Sequence, residues 1–396
     1  MPELDIELFI KEIKASSLRN FTAPAESRSF IQYSERSIQI NVDSSDIPVP
    51  ELVRFVLIFV LKLPTYYDPE EKVRWTIPFN YKEFSCTFAL QKSGLFLYVS
   101  RNEQPPAVLD KAALEIIKKI KSSINRVEKT LLIPYAQHQI ESGNITIANH
   151  YLVLRNRYVY FREKAENTLR RQSRIKNSQT NDIKDFVKVL NDKLKKMFKA
   201  ENELFYNTIA MLDAYFSFLE HLFVLIMPLC RDNIHLVDFI GKLWAVKYKL
   251  LFDISSNLEA KSFYDKLDSI KERFRNFYAH GAFGKGGTSL FFHFPNIGAI
   301  PAQLSEVKKG PHFDFFPIQK DNFKDICRTI DDFEKWLKSE GPVFAMAIKF
   351  VESGLDVPCD KQSLKIIRSA MASDKKLDAL IQRYSYLWEM HTNMDY

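Results

Sequence analysis

The run Arg275-Asn276-Phe277-Tyr278-Ala279-His280-Gly281 brings a fixed cation, an amide and an imidazole close together in the chain. These are groups that can cut a phosphodiester without a metal. A guanidinium neutralises the phosphate as charge builds in the transition state. An imidazole titrating near neutrality moves the proton of a 2′-hydroxyl or of the leaving oxygen. RNA is the polymer that carries such a hydroxyl.

The element that positions these groups is legible in the apolar spacing. Phe263, Leu267, Ile270, Phe274 and Phe277 recur at intervals of three and four, which predicts one buried stripe on a helix from Leu258 to His280. Gly281 stops that helix in a left-handed cap, so His280 is expected at its C-terminal end, where a protonated ring is favoured. At about 100° per residue, Arg275, Asn276 and His280 project away from the stripe. Arg273 offers a second cation before His280. The Gly281–Ser289 loop is not a Walker A sequence, since no Gly-Lys-Ser/Thr opens a helix after it. Its backbone N–H groups and Lys285 are nevertheless placed to hold a phosphate, and a plain hairpin connection is the alternative.

The pattern Arg275-Asn276-x-x-x-His280, closing an amphipathic helix in a helical region, resembles the R-N-x-x-x-H form of the HEPN superfamily. The resemblance covers roughly residues 182–354. It implies an all-α HEPN-like bundle and a metal-independent endoribonuclease of the toxin or antiviral abortive-infection type. Arg275, Asn276 and His280 would be the catalytic set, RNA the substrate, and no cofactor or metal would be needed. It also implies a homodimer in which two motifs share one cleft, and a phage-derived trigger or an antitoxin as regulator. A non-catalytic HEPN-like module that binds nucleotide, nucleic acid or a partner protein is the alternative from another functional class.

Composition sets the frame. A chain of 396 residues, 46% hydrophobic and 13% aromatic, has material for two or three cored domains; 11 Gly against 32 Phe favours helix-rich packing over a turn-rich β fold. Cys86, Cys230, Cys327 and Cys359 are too scattered for a zinc site or a disulfide framework. Met1-Pro2-Glu3-Leu4-Asp5 lacks the basic start and apolar run of an export signal, which predicts a cytoplasmic location. The apolar runs Phe55–Leu61 and Leu222–Cys230 fall short of the roughly 20 residues of a membrane span and read as core.

The character of the chain changes near residue 165. Before it, Ser37–Val42, Val73–Phe79, Phe84–Leu90 and Leu95–Ser100 read as strands, with a turn at Ser93-Gly94. Helices are expected at 50–63 and 109–130. Tyr151–Leu154 and Tyr158–Phe161 read as a last hairpin. Residues 1–165 are therefore expected to form an α+β domain with a sensor or regulatory role. Residues 166–396 are expected to be helical, with a C-terminal helical extension. Helices are anticipated over Asp182–Pro228 (as two), Val237–Ile254, Leu258–His280, Asn322–Ser353 with a break at Gly341-Pro342, and Lys361–Met390. Ser217, Glu220 and His221 share one side of the first, placed either to support His280 or as a solvated stripe.

Charge is concentrated. Residues 151–200 hold 14 Lys and Arg against 5 Asp and Glu, a net +9 in a chain of net +7, so the remainder is slightly acidic. Arg170, Arg171 and Arg174 within this segment are candidates to track an RNA backbone, and a solvated helix face is the alternative.

Overall fold

The computed structural model describes residues 6–24, 37–64, 72–100, 104–177, 186–231, 236–276, 289–305, 310–312 and 320–393. The chain divides into two compact units. One comprises Met1–Gln139 with Arg383–Tyr396, the other Ile140–Gln382.

The first unit is α+β, as expected. Helix α1 (Ile6–Ala15) buries Phe9 and Ile13. Strands β1 (Phe21–Thr22) and β2 (Ser37–Asn41) form the edges of an antiparallel sheet ordered β1-β3-β4-β5-β2, with β3 at Val73–Tyr81, β4 at Phe84–Gln91 and β5 at Gly94–Ser100. Gln91 pairs with Gly94 across a tight turn, and Gly94 has φ 135°, a value that glycine tolerates without strain. Alternate residues of β3, Trp75, Ile77, Phe79 and Tyr81, are buried. Helix α2 (Glu51–Phe55) continues into a π turn at Val56–Val60. Helix α3 (Pro106–Val127) places Leu109, Ala112, Ala113, Ile116 and Ile120 in the same core as the sheet. It continues through a π turn (Glu128–Leu132) into α4 (Ile133–Ser142).

The second unit is mainly helical. Its entry is the short strand β6 (Thr146–Ile147). The next segment corrects the sequence expectation: residues 151–161 do not form a hairpin but open helix α5 (Tyr151–Asn177). The domain boundary expected at 165 falls inside this helix. The alternating look of Tyr-Leu-Val-Leu and Tyr-Val-Tyr-Phe hid a repeat of seven. Tyr151, Tyr158, Ala165 and Gln172 are all buried, two helical turns apart. They face α6 (Phe186–Cys230), one continuous helix where two were expected. The pair is antiparallel, with Tyr151 against Phe218 at 5.1 Å between ring centroids, Tyr158 against Tyr215 at 4.9 Å, and Arg171 bonded to Glu203. Pro228 was expected to stop α6. It lies in the last turn, and the helix runs two residues further to Cys230.

The expected helix at 237–254 is split into α7 (Leu236–Ile240) and α8 (Trp244–Leu251). Helix α9 (Leu258–Ile270), capped by the Asn257 side chain on the Ala260 N–H, leads into a π segment at Lys271–Asn276. An unanticipated antiparallel sheet follows, β7 (Ser289–Phe294), β8 (Gly298–Ser305) and β9 (Gly310–His312). Helices α10 (Lys320–Ser339) and α11 (Gly341–Glu352) break where expected, with Gly341 at φ 78°. Strand β10 (Val357–Pro358) pairs with β6 before α12 (Lys361–Ala370) and α13 (Asp374–Asn393).

The apolar centre of α6 would by composition suit a membrane, yet its most apolar window is 67% buried within the protein, as a core helix is. Phe216, Phe223, Trp244, Tyr248, Phe252, Phe333 and Trp336 fill that core with ring contacts.

Candidate active site

Arg275 lies in the π segment that ends α9. Hydrogen bonds of the i→i+5 kind widen the turn, so the 100° phase assumed from sequence does not hold there. Arg275 faces α6, whereas Phe263 of the apolar stripe packs on Phe333 and Trp336. Its Nε donates to Asp213 Oδ1 at 2.9 Å, and the two side chains are 33% and 39% exposed. One turn earlier, Lys271 also faces α6, with its Nζ 5.1 Å from the Trp244 ring centroid and 5.5 Å from that of Phe216. The segment thus runs antiparallel to α6, Lys271 near Phe216 and Glu220, Arg275 near Asp213.

Burial pushes the Lys271 ammonium down to about 8; Glu220 opposes this and Arg275 adds to it. Burial likewise lowers the pKa of Lys247, and Glu220 again opposes the shift. The Asp268 carboxyl is raised from its ordinary value, mainly because it is partly buried. The result is a polar seam at the edge of an aromatic core: Asp213 and Glu220 on α6, Lys271 and Arg275 on the π segment, and Lys247 on α8.

The other site residues divide. Asn276 ends the π segment, while His280, Lys285 and the glycine loop lie outside the described residues. Arg273 stacks its guanidinium on Phe274, 5.3 Å from the ring centroid. On α5, Arg171 is paired with Glu203. Arg170, 72% exposed, lies 4.0 Å from Glu166, and Arg174 is exposed. Arg155 and Arg162 are bound to Glu334 and Asp331 of α10. Three of the segment's arginines, Arg155, Arg162 and Arg171, therefore tie α5 to its neighbours.

The trio Ser217, Glu220 and His221 does not act as one group. Ser217 Oγ donates to the Asp213 carbonyl, and Glu220 serves the two lysines. His221 Nε2 accepts the backbone N–H of His150 at 2.9 Å, at the start of α5. Burial, with His150 and Lys247 nearby, holds the His221 pKa below its usual value. Asp213 and Lys271 were missed by sequence reasoning. The signal for Asp213 was its place in a polar stripe, Asp213, Ser217 and Glu220, on an otherwise aromatic helix.

No family model, no curated protein and no solved structure matches this chain. Among the described residues no three His, Cys, Asp or Glu side chains converge as a metal-ligating group. The described cysteines are free thiols, and burial pushes Cys86 and Cys327 up to about 12, so they are neutral near pH 7. What the seam supplies is a guanidinium oriented by a carboxylate, with a second, depressed cation one turn away.

Proposed function

We propose that the protein is an HEPN-like, metal-independent endoribonuclease that cleaves RNA by attack of the 2′-hydroxyl on the adjacent phosphate. It would act in the cytoplasm as a toxin or antiviral effector. The observation that carries the reading is the Asp213–Arg275 pair. A guanidinium held through Nε has a fixed plane, which sets the direction of its other N–H groups. Fixed donors aimed at developing phosphorane charge are the largest single source of rate enhancement in such chemistry.

In this mechanism Arg275 stabilises the charge on the non-bridging oxygens. His280 accepts the 2′-OH proton or delivers one to the 5′-oxygen leaving group, and Asn276 orients His280 or binds phosphate. The new bond joins O2′ to phosphorus as the P–O5′ bond breaks, which leaves a 2′,3′-cyclic phosphate and a 5′-hydroxyl. A single chain contributes one such Arg and one such His, too few to hold a scissile phosphate between facing groups, so the active species is a dimer with two motifs facing one another.

The test is incubation of purified protein with total RNA in EDTA, followed by analysis of the product ends. Cyclic phosphate termini, resistance of a substrate with 2′-deoxy at the scissile position, and activity that falls on dilution are expected. Equal cleavage of the 2′-deoxy substrate overturns the mechanism.

A further inference from the structure

A second site lies elsewhere in the helical unit. A cavity of about 550 Å³ opens between the C-terminal end of α6, the turn after α4 and one face of α12. That volume lies within the range of small-ligand pockets, roughly 300–1,000 Å³. Four cations line it: Arg231, Lys361, Lys365 and Arg368; Glu141 is the one carboxylate among the lining residues. Lys361, Leu364, Lys365 and Arg368 follow the i, i+3, i+4, i+7 spacing, so a single stripe of α12 presents three like charges to the cavity.

The frame around these charges is built. Strands β6 and β10 pair with one another, and next to them the N–H of the lining residue Cys359 donates to the Ile145 carbonyl at 2.8 Å. Gly143 turns the chain at φ 73° beside Cys359. Arg368 Nη2 donates to the carbonyls of Pro228 (2.7 Å) and Arg231 (2.8 Å), and Arg231 Nε donates to that of Leu251 (3.1 Å). These carbonyls fix the direction of both guanidinium groups. Lys361 and Lys365 are exposed at the rim. Asp360, at the start of α12, is engaged by the Ser363 N–H of its own helix. The thiols of Cys230 and Cys359 are pushed up by burial, to about 12 and about 11, so they add no negative charge. Met227, Leu236 and Leu364 supply an apolar wall.

Like charges clustered on one wall repel unless an anion sits among them, and an apolar wall beside them accepts a flat, uncharged group. We propose that this cavity binds a nucleoside polyphosphate, with its phosphates on Arg231, Lys361, Lys365 and Arg368 and its base against Met227, Leu236 and Leu364. The proposal stands apart from the ribonuclease reading, since none of these residues belongs to the Arg275 seam.

The test is calorimetric titration of the full chain with ATP, GTP and inorganic tripolyphosphate, with melting temperature followed in parallel. ATP or GTP is expected to bind one to one and raise the melting temperature, tripolyphosphate to compete, and affinity to fall with salt. The double variant K361E/K365E is expected to lose at least tenfold in affinity with an unchanged melting temperature in the absence of ligand. Leu364→Trp, which fills the apolar wall, is expected to weaken nucleotide more than tripolyphosphate. Absence of binding by all three probes at millimolar concentration overturns the proposal, as does equal affinity in K361E/K365E. Binding of a 5′-phosphorylated oligoribonucleotide that ATP fails to displace overturns it in favour of an RNA end. Cleavage activity plays no part in these readings, so they stand or fall separately from the ribonuclease.

Discussion

Asp213 on α6 and Arg275 on the π segment, 62 positions apart in the chain, share a hydrogen-bonded ion pair at 2.9 Å. Both side chains are about one-third exposed, so solvent screens the pair and its contribution to stability is under about 1 kcal/mol. Its value in the ribonuclease reading lies in orientation. Arg275→Ala is expected to lower kcat by roughly 10²–10³-fold. Asp213→Asn is expected to cost about tenfold in kcat with KM little changed, and Asp213→Glu to recover part of it. Thermal melts of the same variants should differ from the parent by only a few degrees; collapse of the fold in both would assign the pair to structure alone.

His280→Ala should remove cleavage as fully as Arg275→Ala does, while Asn276→Ala loses less. Single-turnover rates on one defined RNA, with circular dichroism on each variant, check the order. A variant order in which Asn276 dominates would contradict the assignment of His280 as the proton carrier.

Lys271 gives a stability prediction of defined sign. Its folded value of about 8 lies below the unfolded value near 10.4. Between those limits the unfolded chain holds a proton that the folded chain has released, so stability from this group rises with pH across that window. Below pH 8 the cost of burying the charge is fully expressed. Each tenfold weakening of proton binding corresponds to roughly 1.4 kcal/mol, so this cost exceeds the roughly 0.5–1 kcal/mol of a cation–π contact. Lys271→Met is therefore expected to stabilise the fold near pH 7 by on the order of 1 kcal/mol, with a smaller gain at pH 10. Chemical denaturation at the two pH values measures it.

His221 acts with the same sign in a lower pH window. Its pKa is depressed below the usual 6.5, and the neutral ring accepts the His150 N–H. Below 6.5 the unfolded chain takes up the proton first, so this contribution is present above 6.5 and lost as pH falls through the folded value. His221→Gln keeps an acceptor but cannot titrate. Its melting temperature should fall less than that of the parent between pH 7 and pH 5, measured by scanning calorimetry.

The seam between α5 and α6 predicts a positional contrast. Ala165 is fully buried in the repeat of seven, so Ala165→Leu overpacks it and costs about 1–3 kcal/mol. Glu163→Leu, at an exposed position of the same helix, should change stability by no more than about 0.5 kcal/mol. Urea denaturation of the two variants tests the helix assignment directly.

The parts of this protein governed by local alternation and turn chemistry were legible in its sequence. Strands β3 to β5 and the Ser93-Gly94 turn follow from period two and a glycine at positive φ. The hairpin read at 151–161 failed because Tyr, Val and Leu satisfy both periods over so short a run; only the longer spacing of Tyr151, Tyr158, Ala165 and Gln172 decides. Arg275 was found by its neighbours in sequence, but the π turn at Lys271–Asn276 that carries it was not, because the apolar spacing there fits an ordinary helix. Asp213 showed only as one member of the polar stripe with Ser217 and Glu220; its pairing with Arg275 did not show, because no spacing rule links two residues on separate segments.

The first unit is discontinuous, built from residues 1–139 and 383–396, while residues 140–382 form the second without interruption. On the ribosome, the helical unit is therefore complete in the nascent chain before the last piece of the α+β unit has been made. A cut at residue 165 would sever α5 and leave the C-terminal segment without the rest of its unit. Excision of 140–382, rather than deletion of 1–165, is the dissection that respects the molecule.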